Sequence, residues 1–136
     1  MKAKLTSFAL LFVLLNSSFF ILNSEAQWAQ MSNGMGTDRT VHSLAVSGNN
    51  IFAGTSPLGL YLSTNNGQTW TETGFYISVR SLAISGNNIF AGTNGSGVYL
   101  STNNGQTWTQ TALNNRIVHS LAIFGIWLFA GTDQDV

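Results

Sequence analysis

His42, Arg80 and His119 stand in one slot of a recurring frame, each preceded by Val and followed by Ser-Leu. Held at one level around a common axis, they would form a cationic rim for an anionic group, such as a carboxylate on a glycan or peptide. Its affinity would rise as the histidines protonate near their ordinary pKa of about 6.5. The plainer reading makes them strand-start residues whose polar tips reach water or a neighbouring carbonyl, because repeated positions are kept for structure as often as for function. No metal is expected: the two histidines lie in separate repeats and the carboxylates are scattered, without ligand spacing. The absence of cysteine removes thiolate zinc sites, cysteine nucleophiles and disulfides together. No cofactor is expected either.

The elements that must position these residues come from an internal repeat. Tyr61 to Trp70 recurs unchanged as Tyr99 to Trp108, and Val41–Phe75 and Val79–Leu113 agree at 26 of 35 positions. A third copy opens at Val118-His119-Ser120-Leu121, so the spacing of Val41, Val79 and Val118 is 38 and then 39 residues. Each repeat reads as four short strands. In the first they are Val41 to Val46, Ile51 to Thr55, Leu60 to Ser63 and Thr69 to Thr73, separated by Gly, Asn, Ser and Pro turn signals. No segment carries a helical period. A four-stranded unit of about 40 residues is the size of one propeller blade, and the period fits a propeller better than a helical repeat or a β-helix. Small residues Ser43, Ala45 and Gly54 fall in the two strands nearest the axis, while Phe52, Tyr61, Leu62 and Trp70 suit the wider spaces between blades.

Ser63 to Trp70, repeated at Ser101 to Trp108, resembles the Asp-box (BNR) motif, Ser-x-Asp-x-Gly-x-Thr-Trp, of sialidase-like, sortilin-like and photosystem II assembly-factor-like β-propellers. Ser63, Gly67, Thr69 and Trp70 match it, as do Ser101, Gly105, Thr107 and Trp108, whereas Asn65 and Asn103 replace the aspartate. An Asn side-chain carbonyl can also accept turn N–H bonds, at the loss of a charge and some bond strength. The resemblance implies a folding element on the hairpin between third and fourth strands, away from any catalytic centre. The expected architecture is therefore all-β: a partial β-propeller of about two complete four-stranded blades, with an N-terminal outer strand and half a third blade.

The same resemblance invites a sialidase reading, which the residue inventory opposes. Such enzymes resemble one another in an arginine triad for the substrate carboxylate, a tyrosine nucleophile assisted by glutamate and an aspartate acid/base. After the N-terminal segment only Arg39, Arg80 and Arg116 remain, and Arg80 fills the slot of His42 and His119. The sole glutamate there, Glu72, becomes Gln110 in the next repeat, and no Phe/Tyr-Arg-Ile-Pro segment exists. Paired, tuned carboxylates are missing, so the chain is not expected to be an enzyme.

The N-terminus carries a different signal. Lys2 and Lys4 precede an apolar run from Leu5 to Leu15, and Ser24-Glu25-Ala26 offers small residues for cleavage, the pattern of a secretory signal peptide. Cleavage after Ala26 would release a secreted, periplasmic or cell-surface chain; an uncleaved membrane anchor is the alternative, since Leu5 to Leu22 approaches spanning length. The resulting organisation is residues 1–26 as signal peptide, 27–40 as outer strand and linker, 41–78 and 79–117 as blade repeats, and 118–136 as an incomplete third. Charged residues make up 7% of the chain, and the part after Ala26 carries three Arg against Asp38, Glu72, Asp133 and Asp135, so no basic tract exists for nucleic acid.

The strand count falls short of a ring. About eleven strands are expected, against roughly sixteen for the smallest common propeller. Either the chain is a truncated propeller, or copies associate through open blade edges and apolar faces. Phe124-Gly125-Ile126-Trp127, which replaces Ser-Gly-Asn-Asn at the third turn, fits a buried contact or a degenerating sequence. The functional expectation is a non-catalytic binding or scaffold module with a protein or glycan ligand. Ser56 to Gly59, Asn94 to Gly97 and Phe75-Tyr76 are the variable loops that would carry recognition. A lectin-like binder using Trp70, Trp108 or Tyr76, an assembly factor, and an inactive fragment of a glycosidase-type propeller are the alternatives.

Overall fold

Turn chemistry cuts this chain into hairpins, and apolar stripes stack the hairpins side by side. The structure is a computed structural model that describes residues 30–133; those from Met31 onward belong to one compact unit. The segment read as a signal peptide, Trp28-Ala29 and the last three residues lie outside the described residues. Among the described residues there is no helix, and therefore none long and apolar enough to cross a membrane.

The strands are β1 (Thr40–Ser47), β2 (Asn50–Ser56), β3 (Gly59–Ser63), β4 (Thr71–Glu72), β5 (Val79–Ser85), β6 (Asn88–Thr93), β7 (Val98–Ser101), β8 (Thr109–Gln110), β9 (Val118–Phe124) and β10 (Trp127–Thr132). They form antiparallel sheets ordered β1-β2-β3-β4 and β5-β6-β7-β8, and the pair β9-β10. This is an all-β partial propeller with two complete blades and the inner half of a third. Gly48, Gly86 and Gly125 open the two-residue turns between first and second strands at φ 58°, 59° and 59°. Glycine at that position with positive φ is what a type II′ hairpin needs.

Two expectations are corrected. The fourth strands are only two residues long: in the first blade the preceding turn takes Thr69, whose N donates to Asn65 Oδ1 at 2.9 Å, and the N-terminal segment takes Trp70, whose N donates to the Asn33 carbonyl at 2.8 Å. Of the expected N-terminal outer strand, Gln30 and Met31 form no strand; residues 32–35 make a turn instead, closed by Met35 N to the Ser32 carbonyl at 3.0 Å.

β1 packs on β5, and β5 on β9. At the first junction Phe52, Leu60 and Phe75 bury against Val79, Ile89 and Ala91, with Leu82, Ile84, Tyr99 and Trp108 packed around them. Phe75 meets Tyr99 edge-on at 5.2 Å and Trp108 at 4.7 Å. Full burial of a side chain such as Phe52 contributes roughly 1.5–3 kcal/mol. The backbones approach closely enough to require glycine: a Cβ on Gly54 would lie 2.6 Å from Val79 Cγ1, and one on Gly92 would lie 2.7 Å from Val118 Cγ1. Ser81 Oγ donates to the Val118 carbonyl at 3.3 Å across the second junction, whereas Ser43 Oγ is buried without a partner at the first.

Candidate functional site

The two motif hairpins build one polar network twice. Ser63 Oγ accepts from Gly67 N at 2.9 Å and donates to Asn65 Oδ1 at 3.1 Å; Asn65 Oδ1 also accepts from Thr69 N, while Asn65 Nδ2 donates to Thr69 Oγ1 at 2.9 Å. Ser101, Asn103, Gly105 and Thr107 repeat these bonds within 0.1 Å, from 3.0 Å for Ser101 to Asn103 down to 2.8 Å for Asn103 to Thr107. Gly67 and Gly105 both sit at φ 83°, a conformation that favours glycine. The tryptophans differ. Trp70 Nε1 donates to the Met31 carbonyl at 2.9 Å, and Trp108 Nε1 to the Gly105 carbonyl at 3.1 Å.

His42, Arg80 and His119 prove to share more than a slot. Register shifts between Val41 and Ser43, Val79 and Ser81, and Val118 and Ser120 leave each of them as the unpaired residue of a bulge. A bulge re-aims its side chain. Arg80 Nε donates to Asn94 Oδ1 at 3.0 Å, and His119 Nε2 lies 2.6 Å from Asp133 Oδ1; both partners are 14 residues on, at or just past the end of the second strand. The geometry ties these two side chains each to its own hairpin and places a carboxylate beside His119, while His42 is exposed.

Two of the three variable loops lie side by side. Leu60 N donates to the Phe75 carbonyl at 3.0 Å, and a Cβ on Gly59 would collide with Phe75 O, so loop 56–59 lies against Phe75-Tyr76. Loop 94–97 lies in the same way against Leu113-Asn114. Leu58 and Tyr76 are exposed beside this first pair, whereas Trp70 is buried and Trp108 is packed under Phe75. Of the three aromatics named for a lectin-like binder, Tyr76 is therefore the exposed one, while the two tryptophans pack as the motif reading expects. Among the described residues, no group of three or more His, Asp or Glu gathers as metal ligands would.

Comparison with known families decides the assignment: the profile of the DUF6242 beta propeller domain matches residues 9–122. The chain belongs to this beta propeller family. No curated protein matches it.

The DUF6242 propeller also carries a polar cluster that the sequence did not announce. Tyr61 Oη donates to Glu72 Oε1 at 2.7 Å, Arg39 Nη2 lies 3.4 Å from the same oxygen, and the Arg39 guanidinium sits 4.9 Å from the Tyr61 ring centroid. Burial, with the Glu72 hydrogen bond added, pushes the Tyr61 phenol up to about 12 against the opposing pull of Arg39. A nucleophilic phenolate needs the opposite shift. The pairing was hidden because it spans 11 and 33 residues, although Tyr61 and Glu72 are direct cross-strand partners, as are Tyr99 and Gln110.

Proposed function

We propose that this propeller is an exported, non-catalytic binding module that holds a protein ligand at its paired loops. The observation that carries the reading is the exposed Leu58 and Tyr76 beside two loop segments fixed against one another by the Leu60 to Phe75 bond. Rigid scaffolds with recognition on loops are the usual arrangement for such a task. The potentially reactive Tyr61 and Glu72 are occupied by each other, which supports a role without catalysis. The two Ser-x-Asn-x-Gly-x-Thr-Trp hairpins are Asp-box turns with Asn in place of Asp, a structural role that their internal bonding supports. Export follows from the Lys-led apolar N-terminus, with cleavage after Ala26.

Affinity capture with the full chain, compared with Tyr76→Ala and Leu58→Ala, tests the reading. A client captured by the parent and lost from both variants, with circular dichroism unchanged, is the expected result. Capture unaffected by either variant removes these loops from recognition. A lectin-like second reading is favoured by Tyr76 alone, since an exposed aromatic face can stack on a sugar ring; binding on a glycan array that Tyr76→Ala abolishes would replace the protein client. Turnover of a fluorogenic glycoside would overturn the non-catalytic assignment.

A further inference from the structure

Each blade opens with an apolar stripe facing the blade before it: Val79, Leu82 and Ile84 in the second, Val41, Leu44 and Val46 in the first, once the bulge residue is passed over. In the second blade the stripe is covered, Val79 completely. In the first it is bare, with Val41 44%, Leu44 63% and Val46 64% exposed. The opposite face of each inner hairpin carries a Phe and a notched Gly. Phe52 and Gly54 are buried beneath the second blade and Gly92 beneath the third, but Phe129 is 57% exposed and Gly131 is open. Phe124 and Trp127, a direct cross-strand pair, extend this face with two more exposed aromatics.

These two bare faces are the complementary halves of a junction that the chain already makes twice. We propose that a second copy of this chain covers both, head to tail, with Val41 of one copy seated in the Gly131 notch of the other. The internal template fixes the contacts. Val79 fills Gly54 and Val118 fills Gly92, and at the second of these junctions Ser81 Oγ donates to the Val118 carbonyl; across copies Ser120 follows that second junction and donates to the Val41 carbonyl. Side-chain bulk is complementary as well. The stripe of the first blade ends in Val46 where the second ends in Ile84, and the facing hairpin carries Phe124 and Trp127 where the first blade carries Ser47 and Asn50.

Counting decides how many copies close the ring. The described residues of each copy bring three inner hairpins, so two copies supply six and three supply nine, and of these six lies within the usual range of about four to eight blades. Head-to-tail contacts are heterologous, and they terminate only when the rotation closes. The segment before β1 covers Trp70 and Tyr61 through Met35 but leaves the stripe bare. Met31, half exposed over Gly67, is the side chain that must yield to Phe129, because Phe52 lies over Gly105 in the equivalent place.

Light scattering coupled to size exclusion on the full chain, at micromolar concentration, tests the assembly with Leu44→Glu and Phe129→Lys, both at exposed positions. The expected result is twice the chain mass for the parent and the single mass for each variant alone. An equimolar mixture of the two should regain the double mass, because one junction is then unaltered and the other pairs Glu with Lys. Recovery in the mixture also shows that both variants are folded. A parent that is monomeric at tens of micromolar overturns the proposal and leaves the faces to a different chain. Dissociation by Phe129→Lys but not by Leu44→Glu overturns it in favour of a symmetric tail-to-tail pair. Two folded variants that fail to complement overturn it too.

Discussion

The motif hairpins of the first and second blades are identical in sequence from Tyr61 to Trp70 and Tyr99 to Trp108, yet their outer neighbours are unrelated. The hairpin of the second blade lies against the first blade, with Trp108 beside Phe75 and Gly105 beneath Phe52. That of the first blade lies against an irregular segment, with Trp70 clustered on Met35 and Gly67 beneath Met31. The Ser, Asn, Gly and Thr bonds are nevertheless the same in both. Local sequence therefore writes the turn, and the neighbour decides only what the tryptophan touches.

Substitutions that remove the neighbour should break this parallel most strongly. Phe52→Ala should cost about 3–5 kcal/mol in chemical denaturation, since it opens a cavity between two regular blades that cannot collapse. Met35→Ala should cost about 2 kcal/mol, the low end for a buried Met, because an irregular segment can settle inward. Equal losses would mean that the segment is as rigid as a blade. The turn glycines sharpen the contrast. Gly105→Ala and Gly67→Ala both pay about 1 kcal/mol for positive φ, but a Cβ at 105 lies 3.2 Å from Phe52 Cε1 whereas one at 67 lies 3.8 Å from Met31 Cβ. Gly105→Ala should therefore melt at the lower temperature of the two.

Removing the turn network itself should erase the difference. Asn65→Ala and Asn103→Ala should each lose about 1–2 kcal/mol, and by the same amount within a few tenths, since both lose the same three bonds. The smallest effect belongs to Tyr61, which packs against the irregular segment. In the fold the Tyr61 phenol holds its proton up to about 12, while in the unfolded chain it ionises from 10.0. The unfolded state binds fewer protons over that interval, so this contribution is complete below pH 10 and disappears as pH rises through about 12. Tyr61→Phe should flatten that part of the alkaline stability profile when chemical denaturation is followed against pH.

The blade plan was legible because two signals agree along the repeat: short apolar or β-branched runs, and Gly-Asn turns between them. What escaped was set by hydrogen bonds that residue type does not mark. Thr69 and Trp70 have strand propensity, but their N–H groups are claimed by Asn65 and Asn33, so β4 begins only at Thr71. The bulges at His42, Arg80 and His119 left only one trace, a variable residue inside a constant Val-x-Ser-Leu frame. Met35 and Arg39 gave none, because a turn segment has no period from which a packing face could be read.

The reach of 14 residues from Arg80 to Asn94 and from His119 to Asp133 joins two positions within one hairpin. Each pair can therefore be rewritten without disturbing an adjoining unit: Arg with Asn in one, His with Asp in another. Duplication supplies copies that begin alike, and this contact lets them diverge one at a time, so the molecule's chemical variety can accumulate at a place where its architecture imposes almost no common constraint.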